Sequence, residues 1–152
     1  VIGAVVAGGG TLLAGVEAAL EAIPDNSDCH KAIQFARSQT ASASGGAVIR
    51  ERYQHLNVVH TVNNLALVIW ALLRHPDDFS AAIGDVVAEG LDTDCNGATV
   101  GALWALQGKA IPRHWLAPWD DAIGVSLAGQ AVLNLEDLVT RTLAVEVSLR
   151  AS

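Results

Sequence analysis

Methionine is absent from this 152-residue chain, cysteine occurs twice, and charged residues make up only 16% of it. Each scarcity excludes something. Two cysteines, Cys29 and Cys95, are too few for a disulfide scaffold, so a reducing compartment, the cytoplasm, is the expected location. The charge that is present is acidic, with a net of -7. No basic stripe is available to neutralise phosphates, which argues against nucleic acid as a partner. There is no long uninterrupted apolar run. Val1 to Val16 is the closest approach, but it contains five glycines and runs into Glu17 and Glu21. It is short for a membrane span and lacks the basic start of a signal peptide, so a buried helix is expected and no membrane. A chain without methionine that opens on Val1 is expected to be a processed product or a piece of a longer one.

Apolar residues are abundant, at 51% with a mean hydropathy of +0.36. At this length they can fill one substantial core. Their spacing is helical almost throughout. Leu12, Val16, Ala19, Leu20 and Ile23 define one face, with Gly8-Gly9-Gly10 as a weak point before them. Asn26 or Ser27 can cap a helix carrying Ile33 and Phe35. Thr40 to Gly46 reads as a loop, followed by a short segment from Ile49 to Gln54. His60 to Arg74 is apolar nearly all round and is expected at the centre of a bundle. Asp77 or Asp78 can cap Phe79 to Glu89, which Gly90 ends. A further helix runs to Leu106 or Gln107 and stops at Gly108. Asn134 caps the last helix, whose inner face is Leu135, Leu138, Val139, Thr142 and Leu143. Only Val125 to Leu133 is ambiguous. The expected fold is all-α, an orthogonal multi-helix bundle forming one partial domain over residues 1–152.

The stretch Gly90-Leu91-Asp92-Thr93-Asp94-Cys95-Asn96-Gly97-Ala98-Thr99 carries the chemistry. Asp92 and Asp94 can turn oxygens toward one cation if the loop curls between them, and hard cations such as Mg²⁺ take carboxylates and water. The opening also matches an EF-hand loop. That loop needs an acidic residue at its twelfth position, where this chain has Leu103. Gly97, Gly101 and Ala105 instead form a small-residue stripe suited to close helix packing. The bland alternative is that the aspartates only cap a helix.

The run from Gly90 to Leu103, followed by Gly108, Ile111-Pro112 and Trp115, resembles the C-terminal signature of the ADP-ribosylglycohydrolases. Leu20 to Ser27, Asp78-Phe79 and Asn134 to Thr142 resemble further parts of that family in the same order. The resemblance implies Mg²⁺-dependent (sometimes Mn²⁺-dependent) hydrolysis of the bond between ADP-ribose and an acceptor, at a binuclear centre in the complete enzyme. It implies that Asp92 and Asp94 are metal ligands and catalytic residues, with Cys95 at the next ligand position. The early Gly-Asp and Thr/Ser-Asp-Asp-Thr segments of the family do not occur. The chain therefore resembles the C-terminal half of the enzyme, inactive alone. Its expected partners are ADP-ribose or an ADP-ribosylated substrate, and either the missing half or a second copy. The alternative is a non-catalytic module, crystallin-like or binding ADP-ribose.

His60, Asn63 and Asn64 fall at i, i+3 and i+4, on one face of a helix. Two readings stand: a satisfied core network, or the lining of an ADP-ribose pocket together with Gly90 and Leu91. His55, His75 and His114 have no mutual ligand spacing and read as surface or loop residues. Cys29-His30 stands alone and makes no zinc site. Trp104, Trp115 and Trp119 read as core packing.

Overall fold

The apolar run after His60 forms the centre of the molecule. In the computed structural model, which describes residues 1–151, it is helix α5 (Thr61–Arg74), and every residue from Ala66 to Leu72 is buried. Helices α2 (Leu12–Ala22), α3 (Asp28–Ser38), α4 (Gly45–Arg52), α6 (Phe79–Ala88) and α7 (Thr93–Ala105) all pack against it. A helix covered by five neighbours has no polar side to keep, which is why its sequence lacks one.

The expected break at the three glycines is present. Helix α1 (Ile2–Ala7) ends at Gly8, Gly9 turns with φ +91°, and α2 starts behind Thr11, whose side chain accepts from the Ala14 N–H at 3.0 Å. Ser27 caps α3 through the His30 N–H at 3.2 Å, and Asp78 caps α6 through the Ala81 N–H at 2.9 Å. Phe35 is half-buried, edge-on to Tyr53, with the Arg52 guanidinium 4.2 Å over its ring.

Helix α4 differs from expectation, because it begins inside the glycine-rich stretch. Any Cβ at Gly45 would collide with the Gln39 carbonyl and the Trp70 indole, and at Gly46 with the Glu89 side chain. These glycines serve close approach rather than flexibility. The small-residue stripe on α7 behaves as expected: a Cβ at Gly97 would sit 3.3 Å from Val87 of α6, and Gly101 faces Ile83 and Phe79. Trp104 of α7 is buried edge-on to Phe79, with ring centroids 5.3 Å apart.

The chain divides into two compact units, and the second begins at Ile111. It contains a short helix α8 (Arg113–Leu116), a 3₁₀ turn (Ala117–Trp119), a β-hairpin and α9 (Leu135–Arg150). Strands β1 (Ala122–Leu127) and β2 (Gln130–Asn134) are antiparallel, with Ala122 opposite Asn134, Leu127 opposite Gln130 and an irregularity between Gly124 and Leu127. This hairpin occupies the stretch whose pattern was ambiguous. Asn134 caps α9, accepting from the Asp137 N–H at 3.0 Å. The expected inner face of α9 is only partly covered: Leu135 and Leu138 are half-buried, but Val139 and Leu143 are each 56% exposed. Trp115 and Trp119 are exposed too, so the core reading holds for Trp104 alone of those three. Among the described residues, no helix is long and apolar enough to cross a membrane.

Candidate metal centre

The carboxylate loop is made by two left-handed residues in succession. Gly90 (φ +78°) ends α6, and Leu91 follows at φ +61°. For a branched side chain that conformation is strained, and it persists only where neighbouring contacts hold it. The contacts are visible one residue on. The Asp92 N–H donates to Asn64 Oδ1 at 3.2 Å, and the Asp92 carbonyl accepts the Asn96 N–H at 2.9 Å, opening α7.

Asp92 occupies the N-cap position of α7, yet its side chain makes no capping bond. Its carboxylate faces Asp94 and Cys95 instead of the helix backbone. The ligand atoms of Asp92, Asp94 and Cys95 lie within 4.8 Å of one another, with Asp92 half-buried and the other two exposed. Two oxygens about 2.1 Å from one Mg²⁺ can be at most about 4.2 Å apart, so a small side-chain rotation brings this set to binding distance.

Electrostatics sorts the three groups. The hydrogen bond Asp94 shares with the Asp92 side chain, then the backbone N–H groups of Asp94 and Cys95, hold the Asp94 carboxyl below its ordinary range. Asp94 therefore stays ionised to lower pH than a free aspartate. The Cys95 thiol is pushed up, first by its hydrogen bond to Asp92 and by the charge there, then by desolvation and by Asp94. A thiol kept neutral is a poor partner for a hard cation, so the donor chemistry favours the two carboxylates over sulfur.

The structure separates the other candidate residues. His60 does not share a helix face with Asn63 and Asn64. It precedes the helix as its N-cap, Nδ1 accepting the Val62 N–H at 3.2 Å, and it lines an open hollow of about 250 Å³ with Lys31, Arg52 and His55. Asn63 and Asn64 are buried, as the core-network reading has it. Asn63 donates to the Asn57 carbonyl at 3.0 Å and accepts the Asn64 N–H at 2.9 Å. Asn63 and Leu91 nevertheless share the wall of a half-open cavity of about 420 Å³, completed by residues such as Arg50, Tyr53 and Val58. Gly90 contributes the turn. Asn96, only 3% exposed, was not singled out from sequence; its amide donates to Asn64 Oδ1 at 2.7 Å. The available signal was its position four residues after Asp92, one helical turn inward.

The fold is helical apart from one hairpin, and its chemistry gathers on a glycine-bounded carboxylate loop. The chain belongs to the ADP-ribosylglycohydrolase family, whose sequence model matches residues 1–147. That family is a group of metal-dependent hydrolases acting on ADP-ribosylated substrates. No curated protein and no solved structure matches the sequence.

Proposed function

We propose that this chain carries part of the centre of an ADP-ribosyl hydrolase, which cleaves the glycosidic bond between ADP-ribose and a protein or small-molecule acceptor. The observation that carries the reading is that the ligand atoms of Asp92 and Asp94 lie within 4.8 Å of each other, with the Asp92 carboxylate not spent on capping the helix it starts. These two residues would hold Mg²⁺ or Mn²⁺, as in the binuclear centre of the complete enzyme. When bound, the cation supplies Lewis-acid stabilisation and a template for the ribose. Asp94, kept ionised, accepts a hydrogen bond from a water molecule and orients it. The cavity beside Leu91 and Asn63 offers room and polar edges for a nucleotide-sized ligand. Cys95 stands exposed beside the carboxylates and, as a neutral thiol, does not bind a hard cation.

Two carboxylates and water hold Mg²⁺ weakly, because octahedral coordination leaves most positions to solvent. The 152-residue chain by itself is therefore inactive as a hydrolase, and further ligands come from the remainder of the enzyme or from a second copy. Its two free cysteines suit the cytoplasm.

Thermal melting separates catalytic from merely binding readings. A ligand that binds only the folded chain raises the melting temperature by linkage. Mg²⁺ or Mn²⁺ is expected to raise it, and ADP-ribose to raise it further only when the cation is present. A shift with ADP-ribose that ignores the cation would favour the non-catalytic module. No shift with either cation, at concentrations that saturate weak carboxylate sites, would count against the proposal.

A further inference from the structure

We propose that Asn64 is the positioning residue of the carboxylate loop: its one side-chain amide fixes Asp92 against the wall of the neighbouring cavity. This rests on the reading of Asp92 and Asp94 as cation ligands. The amide group is used in full. Nδ2 donates to the Val58 carbonyl at 2.8 Å and the His60 carbonyl at 2.9 Å. Oδ1 accepts the Asp92 N–H at 3.2 Å and Asn96 Nδ2 at 2.7 Å. An amide has two N–H donors and two oxygen lone pairs, so nothing remains for a ligand. Asn64 therefore organises the site without touching substrate.

The pattern demands asparagine. Rotating the amide by half a turn would set its NH₂ against two donors and its oxygen against two carbonyls. Aspartate would lack the two donors, and leucine would remove all four bonds, leaving the His60 carbonyl only the backbone N–H of residue 64. Asn64 is 9% exposed and Asn96 3%, so water does not readily replace a lost bond. The strained Leu91 lies between Gly90 and the anchored Asp92, and the Asn64 bond is what stops that turn from relaxing. Val58 lines the cavity with Leu91, so the same amide ties the cavity wall to the cation ligands.

Asn64→Ala tests this by two readouts. Amide hydrogen exchange on the cation-free protein should show the Asp92 N–H exchanging at least about tenfold faster, while Ile69, Trp70 and Ala71 in α5 stay protected. Calorimetric titration with Mn²⁺ should show affinity weakened about 10- to 100-fold, the usual range for a group that orients a ligand. Asn96→Ala leaves both carbonyls paired and should weaken affinity less; the double variant should be no weaker than Asn64→Ala, since the bonds act as one unit. If Asn64→Ala does not fold, Asn64→Gln, which keeps the amide but displaces it by one methylene from Asp92, carries the test. A folded variant with unchanged Mn²⁺ affinity and unchanged Asp92 exchange overturns the proposal. A parent chain that takes up no Mn²⁺, with the exchange result intact, overturns the cation reading and leaves the anchoring of Asp92 supported.

Discussion

Asp92 stands where a helix is normally capped and does not cap it, and its side chain acts on its neighbours Asp94 and Cys95 instead. Cys95 is exposed, yet the hydrogen bond and charge of Asp92 raise the pH at which its thiol ionises. Thiolate, not thiol, is the nucleophile in alkylation. Cys95 should therefore react with iodoacetamide at neutral pH more slowly than a free cysteine, and Asp92→Asn should accelerate it. Removing a negative charge and an acceptor favours thiolate, so the sign is fixed; a slower or unchanged rate in the variant would show that the two side chains do not meet. At this scale the closeness of Asp92 and Asp94 was legible, but their spacing alone reads as readily as a helix cap, and it was the surrounding decapeptide that singled them out. His60 was not, since i, i+3, i+4 spacing cannot distinguish an N-cap from a first helical turn. Asn96 was not either, because its importance comes from Asn64, 32 positions away in sequence.

Helices declared themselves where one face is buried. The α6–α7 contact follows from Gly97 and Gly101, and the break before α2 from the glycine triplet. The start of α4 was hidden, because Gly45 and Gly46 read as loop until Gln39, Trp70 and Glu89 are brought against them. The hairpin was hidden for a different reason. Neither strand has a buried face, so no two-residue alternation is imposed on its sequence. Helix α9 presents Val139, Leu143 and Val147 at four-residue intervals, all more than half exposed. An apolar stripe of that kind seeks cover. The chain should self-associate in light scattering at tens of micromolar, a concentration range typical of weak apolar pairing, and Leu143→Glu should shift it toward monomer. A strictly monomeric parent chain would contradict this.

Taken whole, the molecule is a helical unit around α5 that carries the carboxylate loop, and a second unit from Ile111 with the hairpin and α9. The all-α class and the family were both legible, the first from apolar periodicity and the second from the decapeptide at Gly90. The boundary at Ile111 was not, since Ile111-Pro112 reads equally well as a turn within one domain. The function turns on whether the first unit takes up a cation. Titration calorimetry with Mn²⁺ on the parent chain and on Asp92→Asn and Asp94→Asn tests this most directly. Saturable uptake by the parent, lost in each variant while helicity by circular dichroism is retained, is the expected result. Uptake that survives both substitutions, or is absent from the parent, would contradict the assignment of this loop as a cation site.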